Sequence, residues 1–370
     1  MEEKGISFHT FKDQVIFERD EVVKGDGEPY LVYTPYSKKR DKRIETFLSK
    51  HKIPHESFHD LYLIPPGEGM VHPASKSPDE VYTVFTPFYK SARQLLKRHE
   101  PTRITAQSTQ SAQSTRYIFA KPPRLATSHG THGIHGQNKN NVSTLSLKDA
   151  CKRFVGKEWT ELLNVEGGRE NGKARLAKIK RGQFSKYDSK RDQLTYETTY
   201  LSAYLKFGCV SPREAFHAMK ASKGDSEPMI RELIWRDYYA HIMNKYPHVI
   251  GEPYYEKYKK FKWETRTKEF NAWKEGRTGF PVVDAGMRQL NETGYMHNRC
   301  RMIVSSFLVK LLRIDWRKGE RYFAQQLVDY DVASNNGGWQ DAFGSGAGAQ
   351  PYYRIFNPWT QPQKYDKDAE

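Results

Sequence analysis

Residues 280–316 read F-P-V-V-D-A-G-M-R-Q-L-N-E-T-G-Y-M-H-N-R-C-R-M-I-V-S-S-F-L-V-K-L-L-R-I-D-W, and D-Y-D-V-A-S-N-N-G-G-W follows at 329–339. The apolar spacing predicts a helix over 282–290, ended by Gly294 in a left-handed conformation. A second helix is expected over 296–312 by the same period. On it, Asn298, Arg301, Met302 and Ser305 recur at i, i+3, i+4 and i+7, so four hetero-atom side chains share one stripe. Such a stripe on an otherwise apolar helix is costly unless polar groups meet it. Two readings satisfy that demand. One is an internal network in which Arg301 pairs with Asp329 or Asp331. The other is a pocket for a large, charged, hydrogen-bonding cofactor, with Asn335-Asn336-Gly337-Gly338 bringing the backbone close ahead of Trp339.

Working upstream, R-E-L-I-W-R-D-Y-Y at 231–239 sets Glu232, Trp235, Arg236 and Tyr239 on one helical face. A carboxylate, an indole and a guanidinium together suit stacking of a base and hydrogen bonding to its edge. A tryptophan half buried in a helix interface beside a surface ion pair would leave the same pattern. Farther back, a helix opens at Gly172 and leads to Tyr187, and T-T-Y-L-S-A-Y-L-K-F-G-C-V-S-P-R occupies 198–213. Thr198, Thr199 and Ser202 around a helix start provide hydroxyls and free N–H groups, which suit either a phosphate cradle or a plain capped helix. Ser211-Pro212-Arg213 starts the next helix, with proline in the first turn.

The whole chain is basic, with 60 Lys and Arg against 44 Asp and Glu, a formal +16 that favours a polyanionic partner. Aromatic residues, at 13%, suit base stacking, a cofactor pocket or a large core. Cys151, Cys209 and Cys300 stand far apart in no metal-ligand spacing, which points to a reducing compartment and no disulfide framework. No secretory signal or membrane-length apolar run is read, so the expected location is intracellular, cytoplasmic or nuclear. Residues 14–36 and 61–90 carry β-rich runs, each ending in a T-P-aromatic triplet at Thr34 or Thr86. Residues 101–146 have the composition of a linker, and His129, His132 and His135 within it read as free loop histidines, with no metal site expected.

The blocks T-G-Y-M-H-N-R-C-R-M, I-D-W, D-Y-D-V-A-S-N-N-G-G-W-Q and P-Y-Y-R-I-F-N-P, in this order, resemble the DNA photolyase/cryptochrome family, most of all its class I cyclobutane pyrimidine dimer photolyases. The resemblance is dense over 167–366. It implies a mainly α fold, an all-helical FAD-binding domain over 147–370 that lacks its C-terminal end. Before it would lie an incomplete, duplicated remnant of an α/β, Rossmann-like domain over 1–95 and a partly disordered linker over 96–146. The family's opening W-F-R-x-D-L-R strand has no counterpart, and a lone strand pair cannot cover both faces of a parallel sheet, so the first 95 residues are expected to pack poorly.

The resemblance also implies roles. Thr198, Thr199, Tyr200, Leu201 and Ser202 would hold the FAD phosphates, with Tyr187 and Arg236 nearby. Arg301 and Asp329 would form the ion pair beside the flavin ring, with Asp331, Asn298 and Glu232 as further contacts and Asn335 facing the redox-active ring nitrogen. Glu232, Trp235, Asn298, Arg299, Met302, Arg354 and Gln361 would meet the DNA lesion. Asn298 and Met302 stand where (6-4) photolyases and animal cryptochromes carry histidines, which favours the cyclobutane dimer. Trp263, Trp316 and Trp339 would carry electrons to the flavin. One departure is plain: Asp341 replaces a second lesion-stacking tryptophan, which removes a stacking surface and sets an acid at the pocket mouth. The implied activity is light-dependent repair of dimers in UV-damaged DNA by a deoxyribodipyrimidine photo-lyase. A folate or deazaflavin antenna would be absent or defective. The alternatives are a cryptochrome-like blue-light flavoprotein without repair and an inactive or split fragment needing a separate chain for its missing segments.

Overall fold

The structure is a computed structural model that describes residues 42–44, 46–50, 62–65, 81–101, 165–348 and 355–366. Over these residues the architecture is helical. After helical residues at 42–44 and 46–50 the elements are α1 (Phe85–Arg98), α2 (Arg169–Lys180), the short α3 (Tyr187–Lys190), α4 (Leu201–Lys206), α5 (Pro212–Lys220) and the long α6 (Glu227–Lys245). Then follow α7 (Thr267–Lys274), α8 (Pro281–Thr293), α9 (Asn298–Ser306), α10 (Trp316–Gln326), α11 (Val332–Phe343) and α12 (Thr360–Tyr365). Among the described residues, no helix is long and apolar enough to cross a membrane.

Two apolar clusters organise these helices. The first joins α1, α2, α4, α5 and α6 through Phe88, Leu96, Ile179, Phe216, Ile234 and Tyr238. The second joins α7 to α11 through Trp273, Met287, Ile303, Trp316, Phe323 and Trp339. Helix α6 is buried on most sides, as a central helix must be. It packs on α1, α5 and α11, so it stands between the two clusters.

Local chemistry sets the helix ends. Ser211 and Glu214 form a reciprocal capping box at α5, with Pro212 in the first turn where its missing N–H costs nothing. Gly294 ends α8 at φ 66°, and its N–H reaches the Leu290 carbonyl at 2.9 Å. A Cβ there would sit 2.7 Å from Val328, so the close approach of two segments also requires glycine. The helix expected over 296–312 is α-helical over Asn298–Ser306 and continues as a π-turn over Phe307–Leu311.

One expectation is corrected. The β-rich run ending near residue 90 turns into helix α1 at Phe85, because Phe88, Ala92 and Leu96 at i, i+4 and i+8 bury one face in the first cluster. Pro87 falls within the first helical turn, where it is tolerated. Leu63 and Ile64 belong to the same core, held by Asp237 and His241 of α6. The Ile64 N–H donates to Asp237 at 2.9 Å, and His241 Nε2 lies 3.0 Å from the Ile64 carbonyl. The run at 14–36, the linker with His129, His132 and His135, and Arg354 lie outside the described residues.

Candidate functional site

A cavity of about 1050 Å³ opens where α1, α4, α6, α9 and α11 meet. That is at the upper end of the range of roughly 300–1,000 Å³ for small-molecule and cofactor sites. Tyr187, Thr198, Thr199, Tyr200, Leu201, Ser202, Glu232, Arg236, Asn298, Arg301, Asp329, Asp331 and Asn335 all line it, as do Trp235, Arg299 and Met302. The residues that the resemblance assigns to the cofactor thus share one enclosure. Gln361, on α12, is not in this lining, and its amide oxygen is buried without a partner among the described residues.

At the floor, the two candidate partners of Arg301 separate. Its guanidinium donates to both carboxylate oxygens of Asp329, at 3.1 and 2.9 Å, and its Nε donates to the Met296 carbonyl at 2.8 Å. Burial works against the Arg301 charge, and Asp329 beside it more than compensates, so its pKa stands above the ordinary value. Asp331 instead caps α11, accepting from the Ser334 N–H at 2.9 Å, and lies 4.0 Å from Arg236. Ser305 completes the stripe by donating to the Arg301 carbonyl at 2.6 Å. Asn298 and Met302 stand one turn apart, in contact at 3.9 Å.

Helix α4 begins without a side-chain cap: Tyr200 takes φ 48° in the capping position and no hydroxyl satisfies the first N–H groups. The plain capped-helix reading of Thr198, Thr199 and Ser202 therefore does not hold, and all three side on the cavity. Asn335 donates to Glu320 at 3.0 Å, and burial raises the Glu320 carboxyl above its usual range.

Farther out, α6 presents Glu232, Trp235, Arg236 and Tyr239 together, as its period requires. Arg191 donates to Glu232 at 2.7 Å. Enclosure by protein raises the Glu232 carboxyl and Arg191 pulls it back down. Its side chain nonetheless keeps 42% of its accessibility, because the space it faces is the cavity itself. Arg299 is engaged by Asp192 at 2.6 Å and lies over the Tyr365 ring, while its buried Nε has no partner among the described residues.

Of the three tryptophans, Trp339 lines the cavity and is also buried in the second cluster. Trp316 is buried in that cluster, and Trp263 packs at its edge with its ring centroid 4.7 Å from Phe343. The rings nearest Trp339 include Phe323 at 5.0 Å and Trp273 at 6.1 Å. Trp273 belongs to no motif. Nor does sequence reasoning single out Phe85, Tyr89 or Lys90 of α1, which also face the cavity. The signal was the i, i+4 spacing of Phe85 and Tyr89, hidden by their β-prone neighbours.

This arrangement can hold a large ligand with both ionic and apolar parts. A fixed cation sits at the floor, the hydroxyls and first N–H groups of α4 stand to one side, a second guanidinium lies at the edge, and an indole and a carboxyl flank the opening. A family profile described as the FAD binding domain of DNA photolyase matches residues 229–370, and one described as DNA photolyase matches residues 33–107. The deoxyribodipyrimidine photo-lyase of Escherichia coli (strain K12) is 36% identical over 349 residues, which cover 91% of this chain and 66% of that protein. The crystal structure of a class III photolyase from Agrobacterium tumefaciens superposes with a TM-score of 0.69 at 32% identity, covering 91% of this chain and 65% of the other. An archaeal photolyase from Sulfolobus tokodaii, solved with two FAD molecules, gives a TM-score of 0.65 at 33% identity over the same shares. The chain spans just under two thirds of the length of each of these relatives.

Proposed function

The chain belongs to the DNA photolyase/cryptochrome family, and we propose that it is a deoxyribodipyrimidine photo-lyase that binds FAD and repairs cyclobutane pyrimidine dimers in UV-damaged DNA under light. The observation that carries this reading is the convergence, in one cavity, of the paired Arg301 floor with Glu232 and Trp235 at the opening. The residues present fit FAD in size, charge and hydrogen-bonding capacity. Bound FAD supplies the light-driven one-electron chemistry that opens the cyclobutane ring and recovers the electron. The protein's part is binding, orientation and electrostatics.

Arg301, fixed by Asp329, keeps a positive charge at the floor, where it steadies an anionic ligand without rearrangement. Thr198, Thr199 and Ser202, with the free N–H groups at the start of α4, hold phosphate oxygens. Trp235 offers an indole to a flipped pyrimidine pair, and Asn298 and Met302 lie across from it. With its carboxyl raised by enclosure, Glu232 can donate a hydrogen bond to a base carbonyl when protonated and accept one from a ring N–H when ionised. Extruding a dimer is cheaper than extruding a sound base, because its stacking and pairing are already weakened. Trp339, Trp316 and Trp263 form the path by which an external reductant would bring bound FAD to its reduced state before repair.

The test is direct. The purified chain, loaded with FAD and reduced, is mixed with an oligothymidylate carrying a defined dimer, and intact thymines are counted after blue or near-UV illumination. Light-dependent recovery is the expected result; no recovery with FAD demonstrably bound would sink the repair reading. Asp341, where the family carries a stacking tryptophan, favours the second reading, a blue-light flavoprotein without repair. That protein would show light-driven reduction of its flavin and leave the dimer intact.

A further inference from the structure

Asp341 lies on the cavity wall, yet its carboxylate does not face outward as a free acid. Tyr239 Oη donates to Asp341 Oδ2 at 2.8 Å, joining α6 to α11. The loop after α11 closes on the other oxygen, for a Cβ at Gly346 would stand 2.1 Å from Asp341 Oδ1. Gly344 and Gly346 fold that loop back by donating their N–H groups to the Gln340 carbonyl. Burial raises the Asp341 carboxyl to about 6, against the opposing pull of the Tyr239 hydrogen bond, so at neutral pH the phenol donates mainly to a carboxylate. The sequence expectation of an acid at the mouth that repels DNA phosphate therefore gives way to an acid consumed by an internal bond.

The ring that Asp341 holds has little freedom of its own. The Tyr239 ring lies flush on the α11 backbone, where a Cβ at Gly337 would come within 2.1 Å of it. Its upper neighbour is Trp235, at 5.5 Å between centroids and 29° between planes. Trp235 is covered on its α1 side by Phe85, at 3.4 Å and 7°. Phe85 is itself set by Tyr89, which stacks against it at 5.8 Å and bonds Glu227. The indole thus has an aromatic ring from α1 packed against one face and a carboxylate-anchored tyrosine beside it, one helical turn away.

We propose that Asp341 is a positioning residue that works through Tyr239 to hold Trp235 as a one-sided stacking platform for the flipped pyrimidine pair. In this chain the lesion is gripped by one rigid aromatic wall, where a relative with a second tryptophan would use two. The role of Asp341 is to stiffen that remaining wall. The inference rests on the reading of Trp235 as the lesion-stacking residue, and the experiment keeps the two apart.

The full chain, loaded with FAD, is titrated in the dark with a duplex carrying one thymine dimer and with the same duplex undamaged. Flavin absorbance and the urea midpoint are recorded for every variant. Tyr239→Phe and Asp341→Ala are each expected to weaken dimer binding by about 3- to 10-fold, the net worth of one ordinary hydrogen bond. Binding to undamaged DNA should stay unchanged. The double variant should be no weaker than either single one, because the two groups act through one bond. Asp341→Asn, which keeps an acceptor for the phenol, should restore most of the lost affinity. Native-level dimer binding by Tyr239→Phe, or additive losses in the double variant, would overturn the proposal and leave the pocket reading intact. If instead Trp235→Ala binds the dimer as the native chain does, the pocket reading fails and this inference goes with it.

Discussion

At the floor of the cavity Arg301 and Asp329 meet through two hydrogen bonds, with the Asp329 side chain only 3% accessible. At the opening, Trp235 is held by aromatic contacts, with Phe85 stacked on it at 3.4 Å and Tyr239 beside it at 5.5 Å. The floor is an electrostatic construction from one short stretch of chain. The wall is an assembly of rings from α1 and α6, two helices far apart in the chain. Removing one partner of a buried pair strands a charge, whereas removing one ring of a stack loses only that contact. The floor should therefore break sharply, and the wall should loosen by degrees.

Arg301→Ala is the harshest test of this contrast. It leaves Asp329 buried and unpaired, and the expected loss is about 3–5 kcal/mol of stability, read as a fall in the urea midpoint together with loss of bound flavin absorbance. A variant as stable as the native chain would show that the floor is not preorganised by the pair. Trp339→Phe comes next: it keeps an aromatic ring against Phe323 and Trp273 while removing the oxidisable indole. Light-driven reduction of bound FAD by an external reductant should be lost with the flavin spectrum retained, and unchanged photoreduction would mean that electrons travel elsewhere.

Trp235→Ala probes the wall. Dimer affinity should fall by about 1–3 kcal/mol, the worth of one base–aromatic stack, while flavin retention stays near native. If FAD is released as well, floor and wall are one cooperative unit and the contrast fails.

An effect that appears only as pH is varied concerns α6 behind the wall, where burial raises the Asp237 carboxyl to about 8 as it accepts from the Ile64 N–H. A carboxyl whose folded pKa lies above its unfolded value makes the folded state bind the extra proton. Its contribution is therefore full near pH 4 and is lost as pH rises toward 8. Asp237→Asn keeps an acceptor for Ile64 and cannot titrate. Relative to the native chain it should gain stability across that window, by at most about 1.4 kcal/mol per pH unit. A difference between the two urea midpoints that stays constant from pH 4 to 8 would show that Asp237 does not titrate there.

Much of the floor was legible because its residues lie on regular helices or beside them. A period of 3.6 is enough to place Asn298, Arg301, Met302 and Ser305 on one stripe, and a glycine at 294 is enough to end the preceding helix. Position on a helix does not choose between partners across space. Asp329 and Asp331 were equivalent candidates for Arg301 until one proved to cap α11 and the other to face the guanidinium. Helix α1 was misread because Val84, Phe85 and Thr86 are β-prone, while its helical period is satisfied only by burial of Phe88, Ala92 and Leu96 against α6. Trp273 carried no signal, since an isolated tryptophan is most often core.

From the sequence alone came the family, the mainly helical fold, a set of residues that share one cavity and the departure at Asp341, all of which depend on residue identity and local period. Only the tertiary structure decided what Asp341 touches, which carboxylate pairs with Arg301 and that Phe85 backs Trp235. Those contacts join residues far apart in the chain. Their geometry is set by how helices pack, and helix packing reflects the shapes of all the interlocking side chains at once.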